Sequence, residues 1–176
     1  PSLDQDGQSE ETIKVLQKKS RGSANTLIEY ATDLAWCGEY TEATQLLSYV
    51  RPEEQSYPML LYYNGYYNQL AGRNEMSQRY FDKGALADLA YCFPTKLEDI
   101  LVLQMALQVN PDDAMAAYYL GNLWYDKRQY DEAIKVWEHS ASSDPGFPTV
   151  WRNLGIAQFN HLHNQKNALQ CFERAY

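Results

Sequence analysis

The sequence predicts an all-α fold in which antiparallel helix pairs stack one after another. The dipeptide Leu120-Gly121 returns 34 residues later as Leu154-Gly155. A fixed period of between about 20 and 50 residues is typical of proteins built from stacked repeat units. Around both dipeptides, apolar residues recur three and four positions apart, which directs one stripe of each helix toward a core. Glycine at the centre of such a stripe lets a second helix approach closely.

A second alignment extends the repeat toward the amino terminus. The run RQYDEA, residues 128–133, matches GEYTEA, residues 38–43. Their separation of 90 residues equals two periods of 34 plus 22. Gly65 occupies the position that Gly121 and Gly155 hold in the later periods. An insertion of 22 residues therefore lies between Gly65 and Gly121.

Proline-containing segments mark the limits of one helix pair. The runs NPDDA, residues 110–114, and DPGFP, residues 144–148, combine helix breakers with turn formers. Between them, residues 118–127 and 132–140 are predicted to form an antiparallel pair. Asp131 precedes the second helix and favours its positive end.

The insertion is predicted to hold one extra helix. A helix over residues 76–89 precedes the breaker YCFP at 91–94. The next helix carries an apolar stripe made of Leu97, Ile100, Leu101 and Leu107. At the other end of the chain, Ser9 is a candidate N-cap for a short helix with Ile13 and Leu16.

These motifs resemble the tetratricopeptide repeat, a 34-residue helix-turn-helix unit with W-x-x-L-G-x-x-Y, A-x-x-x-F and a final proline. The third period shows Leu120-Gly121-x-x-Trp124, then Ala133-x-x-x-Trp137, then Pro145. The fourth shows Trp151-x-x-Leu154-Gly155, but Ala168-x-x-x-Phe172 arrives one residue late. That delay predicts a lengthened turn within residues 161–165. In the first period Ala31 stands where the glycine is expected.

The resemblance implies a single array over residues 1–176, wound as an α-α superhelix with one inserted helix. Its expected segments are the second helix of a preceding unit at 9–22, repeat 1 at 24–57, repeat 2 at 58–90, the inserted helix at 91–113, repeat 3 at 114–147 and a truncated repeat 4 at 148–176. The runs from the CFP insertion to FPTVWRNLG also resemble the repeat region of large bacterial multidomain proteins. We accordingly expect a fragment of a longer protein, with Leu169 and Phe172 left uncapped and able to mediate self-association.

The charge and the distribution of apolar residues limit the classes of partner that the chain is expected to bind. Fifteen Lys and Arg against 23 Asp and Glu give a net charge of -8, which argues against binding to nucleic acid. No apolar run approaches the roughly 20 residues that span a bilayer, so no membrane partner is expected. The compartment stays open, with the cytoplasm favoured.

Catalytic and metal-binding motifs are absent from the sequence. Phosphate-binding glycine loops, the G-x-S-x-G elbow and H-E-x-x-H do not occur. His161 and His163 could present two imidazoles to a metal, but a zinc site needs three or four ligands, and a solvated turn is the favoured interpretation. The three cysteines lack metal-site spacing and are expected to be small buried side chains. The sequence therefore indicates no enzyme, no metal and no cofactor.

The resemblance also implies a binding surface, because the first helix of each tetratricopeptide pair lines the inside of the superhelix. The residues at its inward-facing positions are Trp36, Tyr62, Tyr66, Tyr118, Asn122, Tyr125, Arg152 and Phe159. Aromatic side chains with a polar tip suit peptide capture and also stack on sugars. Alternatively, some of them pack only helix against helix. Asn122 and Asn153 fall in the two asparagine positions of a carboxylate clamp, but Tyr118 holds its lysine position, so the clamp is incomplete.

The function favoured by this pattern is a noncatalytic scaffold that binds a peptide segment, or another domain of the same full-length chain, in its concave groove. The alternative is an accessory or substrate-recognition region of a larger bacterial enzyme, one acting on glycans being a candidate.

Overall fold

The computed structural model describes residues 11, 15–16, 18–88 and 92–176. The chain divides into two compact units, an N-terminal unit of residues 1–92 and a C-terminal unit of residues 93–176. The described residues form nine complete α-helices and one short 3-10 helix, and no strand occurs among them. The predicted all-α fold is confirmed.

The N-terminal unit contains two helix pairs. Helices α1 (Ala24–Trp36) and α2 (Tyr40–Leu47) form the first pair, and α3 (Pro58–Leu70) and α4 (Asn74–Ala85) form the second. The 3-10 helix Pro52–Glu54 lies in the connection between the pairs. Helix α3 also packs against α2 and α1, so its residues are the most enclosed of this unit. The core therefore lies around α3.

The C-terminal unit contains one leading helix and two pairs. Helix α5 (Leu97–Val109) packs against α6 (Ala114–Asp126), which pairs with α7 (Tyr130–Ser143). Helices α8 (Pro148–Asn160) and α9 (Gln165–Ala175) form the last pair, and α8 packs against α7. The breaker segments NPDDA and DPGFP separate these helices as predicted, since α5 ends at Val109 and α7 at Ser143.

Buried carboxylates at their amino ends fix two of these helices. The Asp113 side chain caps α6, because Oδ1 accepts from the Ala116 N–H at 2.8 Å. The Asp99 carboxylate in the first turn of α5 accepts from the N–H groups of Thr95 and Lys96, each at 2.9 Å. A carboxylate at a helix start satisfies main-chain donors that have no partner within the helix.

The turns within the pairs confirm the predicted irregularity of the last repeat. Three residues join α1 to α2, α3 to α4 and α6 to α7, whereas residues 161–164 join α8 to α9. Each turn contains one residue in the left-handed region, namely Gly38, Gly72, Arg128 or His163. The late arrival of Phe172 in the sequence is thus absorbed by one extra turn residue.

Other expectations need correction. The helix predicted over 76–89 begins at Asn74 and ends at Ala85, where the next apolar residue, Leu86, is 88% exposed and offers no packing to extend it. Cys92 is buried as expected, but Cys37 is exposed and Cys171 is half-buried. The helix expected at 9–22 lies partly outside the described residues, of which 11, 15–16 and 18–20 are helical and 21–22 form a turn. None of the described helices has the length and apolar character that crossing a bilayer requires.

Candidate functional site

The predicted binding residues of the N-terminal unit lie in three different environments. Trp36, the last residue of α1, is 77% exposed. Tyr66 is half-buried, and burial raises the pKa of its hydroxyl above the usual value, with Tyr40 adding to the effect. Tyr62 is fully buried against Gly84, where an added Cβ would come within 2.9 Å of the ring. Tyr62 therefore belongs to the core of the α3–α4 pair rather than to an open surface.

In the C-terminal unit, the structure separates Tyr118 from the other predicted residues. Tyr118 is buried, with its ring edge-on to Phe147 at a centroid distance of 4.8 Å. Asn122 and Tyr125 are half-buried on the same helix, α6. Arg152 and Phe159 are exposed on α8. Tyr118 thus packs in the core against Phe147, which corrects its predicted place on the binding surface.

The Asn122 side chain has a fixed orientation. Its Oδ1 accepts from the Trp137 indole Nε1–H at 3.2 Å and from the Asn153 Nδ2–H at 3.0 Å. An amide oxygen has two lone pairs, so both are used, and the indole can only donate. The Asn122 nitrogen is therefore identified without ambiguity, and no described residue accepts from it. The NH₂ group remains available as a donor.

A second link joins α6 to the end of α8. The Tyr125 hydroxyl and His161 Nε2 lie 2.9 Å apart, within hydrogen-bond distance. The His161 ring also stacks on Tyr130, with centroids 3.6 Å apart and planes at 18°. His161 thus packs between neighbouring pairs, which corrects the expectation of a solvated turn at this residue. The only sequence feature that marked His161 as unusual was the lengthened turn that begins there.

Arg152 completes the exposed part of this surface. Its Nη2 donates weakly to Asn153 Oδ1, at 3.4 Å, and its side chain is exposed. Arg152 and Phe159 are seven residues apart, so they project from the same side of α8. We define the α6–α8 face by six residues, which are Asn122, Tyr125, Arg152, Asn153, Phe159 and His161.

The chemistry of the α6–α8 face is dominated by donors. Asn122 and Asn153 present amide N–H groups, and Arg152 presents a guanidinium, which has donors and no acceptor. Across the described ranges, no group of three His, Cys, Asp or Glu side chains is arranged to hold a metal ion. The arrangement suits recognition of carbonyl or carboxylate oxygens with an adjacent apolar group against Phe159.

The same close contact holds each helix pair that contains a repeat glycine. An added Cβ on Gly121 would come within 2.3 Å of the Trp137 ring, and one on Gly65 would come within 2.6 Å of the Phe81 ring. On Gly155 it would come within 2.5 Å of Phe172. Each pair therefore seats an aromatic side chain of its second helix directly on a glycine of its first. The fold is that of the tetratricopeptide repeat. Phe172 is occupied by this contact, whereas Leu169 is 60% exposed.

No family model matches the chain. Several solved structures are similar to it. A crystal structure of MamA is 19% identical, covers 98% of this chain and 89% of its own, and has a TM-score of 0.46. MamA from Desulfovibrio magneticus RS-1, residue 41 to the end, is 19% identical with coverages of 86% and 92% and a TM-score of 0.42. YrrB, described as a TPR protein with an unusual peptide-binding site, is 19% identical with coverages of 93% and 90% and a TM-score of 0.40.

Proposed function

We propose that the chain is a noncatalytic protein-interaction scaffold and that its C-terminal unit binds a peptide segment, or a loop of a neighbouring domain, on the α6–α8 face. The bound segment contributes acceptor oxygens, either main-chain carbonyls or a carboxylate. An apolar side chain of the same segment packs beside Phe159, which is 54% exposed.

The orientation of Asn122 is the observation that carries this proposal. A freely rotating asparagine could donate or accept, and it would lose side-chain entropy on binding. Asn122 is already held by Trp137 and Asn153, so it presents only its NH₂ group and has little freedom left to lose. Rigid, preoriented polar groups make binding more favourable because ordering costs are reduced.

Arg152 adds charge to the same surface. A guanidinium forms its strongest hydrogen bonds with carboxylates, because the acceptor is then ionised as well. Its exposed position beside Asn153 allows it to bind a ligand without breaking a buried contact. We therefore expect segments with an acidic residue next to an apolar one to bind best.

The test uses an array of random peptides, followed by calorimetry on each peptide that binds. The informative substitution is Asn122→Asp, which keeps an oxygen for Trp137 and Asn153 but replaces the free donor with an acceptor. Binding should weaken about tenfold or more, since a buried hydrogen bond contributes about 1 kcal/mol and two facing acceptors repel. Arg152→Ala should also weaken binding.

Matched controls separate the site from a general charge effect. Asn167→Asp makes the same change at an exposed position of α9, and Lys135→Ala removes an exposed cation from α7. Both should leave affinity unchanged, and circular dichroism should show that every variant is folded. If Asn122→Asp and Arg152→Ala bind every selected peptide as the unaltered chain does, the α6–α8 face is not the binding site.

A further inference from the structure

Two asparagines are buried inside the N-terminal unit at positions where apolar residues are expected. Asn64 and Asn68, on α3, are 6% and 2% exposed. Asn64 directly precedes Gly65, whereas Leu120 precedes Gly121 and Leu154 precedes Gly155 in the later repeats. Burying an amide costs free energy unless it is hydrogen-bonded, so two such residues on one helix need an explanation.

Hydrogen bonding fixes the orientation of both amides. Asn64 Nδ2 donates to the Leu60 carbonyl at 2.9 Å, and Asn68 Nδ2 donates to the Asn64 carbonyl at 2.8 Å. A main-chain carbonyl can only accept, so the nitrogen of each side chain must face it. The two Oδ1 atoms are therefore acceptors, and no group in the described part of the chain donates to them.

Both asparagines line cavities that lie along α3, between α2 and α4. The larger cavity, of about 610 Å³, is lined by Asn64 together with apolar residues that include Leu47, Leu60 and Leu61. The smaller one, of about 360 Å³, is lined by Asn68. Tyr80 of α4 lines both, so they are neighbours in one groove, which we call the α2–α4 groove. The larger volume lies within the usual range for ligand pockets, about 300–1,000 Å³.

The spacing of the two acceptors matches an extended backbone. Residues four apart on a helix are separated by about 6 Å along its axis. In an extended strand, alternate residues direct their N–H groups to the same side, about 6.6 Å apart. Two N–H groups of one extended segment can therefore reach Asn64 Oδ1 and Asn68 Oδ1 together.

Charge further restricts the segment. Lys83 lines the larger cavity, and Arg73 lines the smaller one, where its guanidinium donates to Thr41 Oγ1 at 2.5 Å. Asp88 is the only carboxylate among the described residues that line either cavity. Two cations against one anion favour an acidic segment.

We propose that the α2–α4 groove binds an extended peptide whose alternate N–H groups donate to Asn64 and Asn68. A bulky apolar side chain of that peptide fills the larger cavity, and acidic residues flank it near Lys83 and Arg73. This site lies wholly within the N-terminal unit and is separate from the α6–α8 face.

The first test is panning of a displayed library of random linear peptides against the full chain. The double variant Asn64→Leu/Asn68→Leu serves for counter-selection, because leucine keeps the side-chain volume and removes both acceptors. Peptides that bind the unaltered chain but not the double variant are expected, with an apolar residue between acidic ones. If panning yields no peptide that distinguishes the two proteins, the proposal is overturned.

The second test uses the unaltered protein, so it does not depend on whether a variant folds. Each selected peptide is synthesised with a single N-methyl group at every amide in turn, and binding is measured by calorimetry. Methylation at two positions two residues apart should weaken binding about tenfold each, because each removes one hydrogen bond, and methylation between them should have little effect. A loss that does not alternate overturns the proposal.

Asn122→Asp separates this site from the α6–α8 face. Peptides bound in the α2–α4 groove should bind that variant with unchanged affinity. If instead Asn122→Asp abolishes their binding, the peptides bind the α6–α8 face and the groove is not a binding site.

Discussion

The substitution Gly121→Ala should destabilise the C-terminal unit even though alanine is the better helix former. An alanine Cβ would lie 2.3 Å from Trp137 Cδ1 and 2.4 Å from Nε1, whereas ordinary contacts begin near 3.4 Å. The indole would have to move by about 1 Å in a close-packed interior. It is 3% exposed, and its Nε1–H is shared between the Tyr118 carbonyl at 3.3 Å and Asn122 Oδ1 at 3.2 Å.

The expected loss of stability combines two destabilising effects and one stabilising effect. Overpacking a core costs about 1–3 kcal/mol. Weakening the indole hydrogen bonds costs about 1 kcal/mol more. Replacing glycine by alanine in a helix interior stabilises the helix by about 1 kcal/mol. We therefore expect Gly121→Ala to lower the free energy of unfolding by about 1–3 kcal/mol.

Urea denaturation followed by tryptophan fluorescence is the assay. Three of the four tryptophans, Trp124, Trp137 and Trp151, lie in the C-terminal unit, so the signal reports mainly on that unit. Gly146→Ala is the matched control, because it lies in the same unit at an exposed position and the only atom near its added Cβ is Asp144 Oδ1 at 3.3 Å.

A double-mutant cycle identifies the cause. Trp137→Leu removes the ring that the added Cβ at position 121 would contact, so the cost of Gly121→Ala should fall by at least about 1 kcal/mol in that background, as circular dichroism would measure it. If Gly121→Ala is as stable as the unaltered protein, or if the two substitutions are additive, the glycine–aromatic contact does not hold the pair together.

Four other perturbations test separate features. Arg128→Gly should raise the free energy of unfolding by about 0.5–1 kcal/mol, because Arg128 has a φ of 60° that glycine adopts without strain; an unchanged melting temperature would contradict this. Asp113→Ala should lower it by about 1 kcal/mol in urea denaturation through loss of the α6 N-cap, and a neutral effect would exclude that role. Asn64→Leu should raise the melting temperature, since it replaces a largely buried amide by an apolar side chain of similar volume; a lower one would show that the amide stabilises the free protein. Burial raises the pKa of the Cys171 thiol; Arg174 opposes this effect and Glu138 adds to it. Less thiolate is therefore present near neutral pH, so iodoacetamide should modify Cys171 more slowly than the exposed Cys37. Peptide mass spectrometry would measure both rates, and equal rates would refute this.

The helix pairs could be predicted because their determinants are close in sequence. Gly121 and Trp137 lie 16 residues apart, joined by one turn, and the pattern that places them on facing stripes is visible in the sequence. The same reasoning located the longer turn before α9, since Phe172 is displaced by one residue relative to Gly155. Local periodicity is sufficient where both partners belong to one pair.

The exposure of individual site residues could not be predicted in the same way. Tyr62 and Tyr118 occupy equivalent positions, and both are buried, but against different neighbours. Gly84 makes room for the Tyr62 ring, whereas Phe147, from the start of α8, covers Tyr118. These contacts depend on side-chain sizes at positions that spacing alone does not bring together. The groove at Asn64 was not predicted, although an asparagine in place of leucine directly before Gly65 was a visible signal in the sequence.

The four-residue turn at 161–164 limits how freely the last repeat could be exchanged for another. In a protein made of interchangeable units, one pair can be substituted for the next as long as its packing residues are kept. Here the residue that begins the longer turn, His161, contacts Tyr125 and Tyr130 of the preceding pair. A replacement pair with a three-residue turn would keep the seat on Gly155 but shift this ring. The last two pairs are therefore best transplanted, shuffled or redesigned together, as one module.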